Sequence, residues 1–221
     1  MITVTPLASG SSGNAYVVDN GSSAILLDCG ISWRDICVKS GWKRFDMCLL
    51  SHIHSDHSKA VKDVIKLGIP TYMPTTMYYK LHIDEHNVRG IGSAILKGFG
   101  WRIMSFNVEH DVQCLGYSLA TGNDKLVYIT DTMYCKYRFN DVSHWLIECN
   151  YSDIDENINP YLRNRIVRTH MSLDTVKQLL LANDLSRTQE IWLLHLSNDN
   201  ADAERMRREV QEVTGKVVMI A

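Results

Sequence analysis

The chain has 221 residues, of which 45% are hydrophobic and 22% charged, as in ordinary globular proteins. With a formal net charge of -2, the protein as a whole does not attract a polyanion, so any contact with nucleic acid has to use a local basic patch. No apolar run could span a bilayer, no signal peptide is evident, and the six cysteines are scattered without a CxxC pair, which together predict a cytoplasmic protein without membrane contact.

The first half of the chain mixes β-like runs with short helical patterns. Apolar runs at residues 2–7, 15–18 and 24–27 predict three strands, joined by the Gly- and Ser-rich segment 9–14 and by a hairpin-type turn at Asn20-Gly21. The next predicted elements are a helix over 33–39, a strand over 47–51, an amphipathic helix over 59–67, a strand over 70–73 and a short helix through 79. Residues 81–100 show no clear pattern.

In the second half, strands are predicted over 101–108, 115–120, 126–129 and 145–148. They are followed by a helix over 173–181, a strand over 191–194, a charged helix over 201–213 and a last strand over 217–220. This order predicts mostly antiparallel strands in two packed sheets covered by helices. Because no repeat, linker or low-complexity tract interrupts the pattern, we expect one domain over residues 1–221.

The run His52-Ile53-His54-Ser55-Asp56-His57 places three imidazoles and a carboxylate within six residues. It falls between a predicted strand and a predicted helix, on the kind of loop where functional sites are often built. Imidazole nitrogen and carboxylate oxygen are ligands of zinc and similar ions. His52 and His54 share one side of an extended backbone, whereas Asp56 and His57 must diverge, which favours two neighbouring metals. The alternative is a solvated turn in which Asp56 caps the helix.

Further polar residues end later β-like runs. His110, Asp131 and His195 each follow an apolar stretch, and His170 precedes a predicted helix. A single residue of this kind is usually a satisfied polar group at a strand end. Their repetition after the His-rich run instead indicates a shared site.

These residues resemble the metallo-β-lactamase superfamily. The HxHxDH signature is matched by residues 52–57, its early aspartate by Asp28, and its later ligands by His110, Asp131 and His195. The segment Leu7-Ala8-Ser9-Gly10-Ser11-Ser12-Gly13-Asn14 and the pair His170-Met171-Ser172 and His195-Leu196-Ser197 are similar to the YycJ/WalJ-type branch, which is related to RNase Z and the β-CASP nucleases. The resemblance implies an α+β fold, a four-layer αββα sandwich of two mixed β-sheets flanked by helices.

The resemblance also implies two divalent metal ions, zinc in the first place and manganese or iron as alternatives. His52, His54 and His110 would hold the first ion, Asp56, His57 and His195 the second, and Asp131 would bridge both. Asp28 would accept a hydrogen bond that fixes a ligand imidazole. Asp56 and His170 are the expected catalytic residues, the latter without binding metal. Thr169 stands where glycine is common, so the loop before His170 is expected to approach the site differently.

The implied chemistry is hydrolysis by a hydroxide that bridges the two metals and attacks phosphorus in line, while His170 donates a proton to the leaving oxygen. Ser11, Ser12 and Asn14 belong to a loop whose backbone suits a phosphate, although such a loop also simply makes a turn. Arg163, Arg165 and Arg168 suit a phosphate backbone, the alternative being a solvated charged segment. These six residues are the candidate substrate contacts.

The leading hypothesis is a phosphodiesterase, specifically a nuclease that cleaves DNA or RNA. His110 and Asp131 are 21 positions apart, and Asp131 and His170 are 39 apart, too close for a projecting tRNA-binding arm or an inserted β-CASP domain. A small-molecule hydrolase acting on a lactone, thioester or cyclic nucleotide is the alternative enzyme, because the same hydroxide attacks a carbonyl. A non-catalytic metal-binding regulatory protein is the alternative from another class.

Overall fold

Two β-sheets organise the computed structural model, which describes residues 1–154 and 158–221. The six-stranded sheet has the order β1 to β6: Thr3–Ala8, Ala15–Asp19, Ala24–Leu27, Met47–Leu49, Thr71–Pro74 and Val88–Ile91. The seven-stranded sheet runs from β13 back to β7. In chain order its strands β7 to β13 are Ile95–Gly98, Trp101–Val108, Cys114–Thr121, Asp124–Ile129, His144–Glu148, Glu190–Leu194 and Val217–Ile220.

Helices connect many of these strands. In chain order, α1 to α7 are Trp33–Lys39, Ser55–Ser58, Val61–Lys66, Thr75–Lys80, Pro160–Thr169, Leu173–Leu181 and Ala203–Thr214. The helix predicted over 59–67 is thus a short α3 preceded by a separate turn, α2. Among the described residues, no helix is both long and apolar enough to cross a membrane.

Each sheet combines an antiparallel half with a parallel half. Strands β1 to β3 and β7 to β10 pair antiparallel, whereas β3 to β6 and β10 to β13 pair parallel. The prediction of mostly antiparallel strands is therefore wrong. Parallel neighbours require a crossover, and helices supply it for every parallel pair except β10 and β11.

Three elements gave no clear signal in the sequence. Strands β6 and β7 fall within residues 81–100, and β7, at the edge of its sheet, has four residues of which none is fully buried. Helix α5 buries only Thr169, so it lacks the apolar stripe that marks an amphipathic helix. Short or exposed elements of this kind leave little periodicity to detect.

Alternating side chains divide the hydrophobic residues among three layers. On β3, Ile25 and Leu27 face the second sheet, whereas Leu26 packs with side chains of α1 and α3. On β11, Leu146 faces the first sheet and Trp145 packs with side chains of α6 and α7. Strands buried on both faces read as continuous apolar runs. The resulting order of helix, sheet, sheet and helix confirms the expected αββα sandwich of mixed sheets.

Candidate metal centre

The candidate ligands lie where strands end. Asp28 directly follows β3, and the loop 52–57 follows β4, its parallel neighbour. In the second sheet, Asp131 follows β10, Glu148 ends β11 and His195 follows β12. The carboxyl ends of parallel neighbours lie at the same edge of a sheet, which brings these side chains together. Tyr128 of β10 joins the two edges, because its hydroxyl donates to Asp28 Oδ2 at 2.6 Å.

Three of these residues adopt a left-handed backbone. The φ angles are 55° at Asp28 and 53° at His195, each immediately after a strand, and 45° at Asp131, two residues after the end of β10. This conformation costs a non-glycine residue about 1–2 kcal/mol, so surrounding contacts must hold it. The strained turns fix the directions in which these three side chains enter the site.

Two clusters of potential metal ligands are present among the described residues. In the first, His54 Nδ1 lies 3.0 Å from His52 Nε2 and 3.4 Å from His110 Nε2. In the second, Asp56 Oδ2 lies 3.5 Å from His57 Nε2 and 3.8 Å from His195 Nε2. Each set of three therefore converges with its donor atoms close enough to share one ion.

Asp131 lies between the two clusters. Its Oδ1 is 3.1 Å from His57 Nε2 and 2.8 Å from His195 Nδ1. Its Oδ2 is 3.9 Å from His52 Nε2 and 4.0 Å from His110 Nε2. Each carboxylate oxygen thus faces a different cluster, as a bridging ligand requires.

Hydrogen bonds orient the imidazoles. The His57 Nδ1–H donates to Asp28 Oδ2 at 2.6 Å, and the His110 Nδ1–H donates to the Thr169 carbonyl at 3.3 Å. Because each partner is only an acceptor, the lone pair of the neutral ring lies on Nε2, which faces the cluster. Thr169, the residue that departs from the family pattern, therefore helps to orient His110 through its backbone.

The charges of the site fit divalent cations. Asp28, Asp131 and Glu148 are each at most 2% exposed, and within the described residues their charged partners are all imidazoles. Burial lowers the pKa of His57, but the charges of Asp131 and Asp28 outweigh it and raise that pKa well above its usual range. The buried carboxylates therefore favour the binding of a cation, and the His-rich donor set suits borderline ions such as zinc.

His170 is held by Glu148, a residue that no sequence motif marks. Its Nδ1–H donates to Glu148 Oε1 at 2.5 Å, and Glu148 also accepts from the backbone amides of Thr132 and Met171. Burial lowers the pKa of His170, but the Glu148 charge outweighs it and raises that pKa to about 9. A charged residue directly after the apolar run 145–147 of β11 was the available signal for Glu148. His195 lies close to both this pair and the second cluster.

The loop 9–14 borders the site, but its three candidate contacts differ. Ser11 and Ser12 are exposed, as a substrate contact requires. Asn14 is fully buried: its amide oxygen accepts from the Gly10 amide, and its Nδ2 lies 3.0 Å from His57 Nε2. The prediction that the Asn14 side chain contacts substrate is therefore corrected. This side chain is enclosed, and its contacts connect the loop 9–14 to residues 52–57.

The three arginines also differ in their position relative to the site. Arg165 and Arg168 line a cleft of about 620 Å³ beside His110, together with Tyr161, whereas Arg163 does not line it. All three lie on α5, where residues two apart point about 200° apart around the axis. The helical conformation of this segment, which gave no helix signal in the sequence, thus separates Arg163 from the other two arginines.

Comparisons with known proteins extend these observations. The family model "Metallo-beta-lactamase superfamily" matches residues 8–134, more than half of the chain. The chain is 29% identical to "Exodeoxyribonuclease WalJ" of Streptococcus pneumoniae, covering 88% of this chain and 81% of that protein. It is 27% identical to "Exodeoxyribonuclease YycJ" of Bacillus anthracis, covering 94% and 87%. The crystal structure of the metallo-beta-lactamase fold protein YhfI from Bacillus subtilis matches with a TM-score of 0.77 at 21% identity, covering 100% of this chain and 96% of that one.

Proposed function

Because this chain belongs to the metallo-beta-lactamase superfamily, we propose that it is a metal-dependent phosphodiesterase, and more narrowly a deoxyribonuclease that works from DNA ends. The main support for the proposal is the position of Asp131, whose two carboxylate oxygens face two separate histidine-containing clusters. The names of the two relatives, both exodeoxyribonucleases, support DNA as the substrate.

Seven side chains would hold the metals. His52, His54 and His110 would bind one ion, Asp56, His57 and His195 the other, and Asp131 both. When bound, such ions acidify water and neutralise charge on a phosphate. The imidazole-rich set favours zinc, with manganese or iron as alternatives. Asp28 would keep His57 in the tautomer that binds metal, as its short hydrogen bond indicates.

His170 is suited to protonating the leaving group. Glu148 holds its Nδ1, which leaves Nε2 as the nitrogen that can donate a proton. In diester hydrolysis, a P–O bond forms to the water oxygen and the P–O bond to the ester oxygen breaks. His170 would protonate that departing oxygen and regain a proton from the attacking water through solvent. Its partly exposed ring, with a side chain 18% accessible, permits this exchange.

The test is a nuclease panel run with zinc, manganese and iron in turn. Single- and double-stranded DNA and RNA, each labelled at either end, are incubated with metal-loaded protein and with its Asp131→Ala variant. We expect metal-dependent release of short products from DNA ends by the wild-type protein only. A lactone and a thioester are assayed in parallel, and their turnover without cleavage of any DNA would refute the proposal in favour of a small-molecule hydrolase. Metal binding without turnover of any substrate would indicate the regulatory alternative.

A further inference from the structure

Helix α5 leaves nearly all of its side chains exposed beside the metal centre. Thr169 is its one buried residue, and His170, which caps its carboxyl end, carries the imidazole held by Glu148. The helix contains three arginines and no acidic residue. It is therefore a positively charged element in a protein of net charge -2, and it ends at the centre itself.

One face of α5 lines the cleft that opens at His110. Tyr161, Arg165 and Arg168 follow one another at spacings of four and three residues, so they share a face about 10 Å long. At the rise of about 3.4 Å per nucleotide of one DNA strand, this length corresponds to roughly three nucleotides. The lining also contains one acidic residue, Asp111, whose Oδ1 lies 3.1 Å from His110 Nε2 at the end of the cleft that adjoins the centre.

The side chains of this face suit different parts of a nucleic acid strand. The guanidinium groups of Arg165 and Arg168 match phosphate in geometry and charge. The Tyr161 ring is 82% exposed, which leaves its face free to stack. An aromatic ring reaches the face of a base only where that base is unstacked, and base pairs inside a duplex cover both faces.

We propose that the α5 cleft binds an unpaired DNA strand and leads its end to the metal centre, with Arg165 and Arg168 on phosphates and Tyr161 stacked on a base. This inference rests on the proposed deoxyribonuclease function and specifies its substrate. A duplex would have to fray before its end entered the cleft.

Binding is measured with metal-loaded protein and a fluorescent, nuclease-resistant phosphorothioate dT12 strand, at several salt concentrations. For single strands, the logarithm of the affinity falls with the logarithm of salt by about 0.7 per phosphate contact. The Arg165→Ala, Arg168→Ala double variant should therefore reduce this slope by about 1.4. Arg163→Ala is the matched control, because it removes the same charge from the same helix outside the cleft, and its slope should equal that of the wild type.

Tyr161→Ala should weaken binding roughly 5- to 150-fold without changing the salt slope, and Tyr161→Trp should restore the affinity. Tyr79→Ala, which removes a ring 69% exposed on α4, is the control and should have no effect. Equal effects of Arg163→Ala and the double variant, preference for a blunt duplex, or absence of binding would each overturn the inference. Cleft-dependent binding without any nuclease activity would support the cleft while refuting the proposed function.

Discussion

Replacing Asp28 by asparagine tests whether a buried carboxylate sets the tautomer of a metal ligand. Asp28 Oδ1 accepts from the Ser51 amide at 2.7 Å. Its Oδ2 accepts from the Ser51 hydroxyl at 2.7 Å, from His57 Nδ1–H at 2.6 Å and from the Tyr128 hydroxyl at 2.6 Å. Asparagine offers one oxygen, so one side of this network must face an NH₂ group instead.

Either orientation of the new amide carries a cost. If its NH₂ faces the Ser51 amide, a fully buried N–H loses its acceptor, at about 1–3 kcal/mol. If its NH₂ faces His57, the ring must accept on Nδ1 and carry its proton on Nε2, the nitrogen that faces Asp56 and Asp131. The bonds that remain also lose their charge assistance. We expect a loss of about 3 kcal/mol in the free energy of unfolding, or roughly 6–12 °C in Tm.

Asp28→Asn should also weaken metal binding by about 10- to 100-fold, the usual effect of removing such an orienting partner. Thermal unfolding, metal analysis and metal titration of the purified variant measure both effects. Asp46→Asn is the control, because Asp46 accepts a backbone bond from Ala24 that an amide oxygen can keep. If Asp28→Asn bound both metals with wild-type affinity and melted within about 1 °C of the wild type, the tautomer argument would be wrong, since about 3 kcal/mol is expected.

Other substitutions test the remaining parts of the site. His170→Ala should lower cleavage of DNA by about 10²- to 10⁴-fold but leave hydrolysis of a p-nitrophenyl phosphodiester nearly unchanged, because that leaving group departs without a proton; equal losses on both substrates would exclude the donor role. Glu148→Gln should show the same split between the two substrates, with a smaller loss on DNA. Asp131→Ala should reduce the bound metal from two ions towards none, and retention of two ions by mass spectrometry would contradict the bridging assignment. Gly30→Ala should destabilise the protein by more than about 3 kcal/mol, because the new Cβ would lie 1.6 Å from the Asp56 carbonyl oxygen, whereas Gly92→Ala, with nothing within 4 Å, should melt like the wild type.

The nature of the site could be predicted because its chemistry lies in local sequence. His52 to His57 follow a strand-length apolar run, and residue types at this spacing point to metal without any tertiary information. The αββα fold could also be predicted, although through the family resemblance. Strands such as β3 and β11, buried on both faces, have no clean alternation that shows which side chains face the other sheet.

The residues that were missed or misplaced show the limit of local patterns. Glu148 ends an apolar strand without any motif, and its role depends on His170, which lies 22 positions away. Asn14 was predicted to contact substrate, but contacts with residues 52–57 enclose its side chain. Arg163 was grouped with Arg165 because both are basic and lie two residues apart. In the helix, the two side chains point in different directions, and only Arg165 lines the cleft.

By itself, the sequence determined which donor atoms are available and that they follow strands, because residue chemistry and apolar runs are local properties. The family resemblance implied which donors meet, and only the tertiary structure decided the direction in which each donor atom points. Asp131 presents one oxygen to each cluster only because a left-handed turn after β10 and the packing of two sheets fix its direction. His57 presents Nε2 only because Asp28, 29 positions earlier, holds Nδ1. Such directions depend on backbone angles and on packing between distant segments, which no short stretch of sequence specifies.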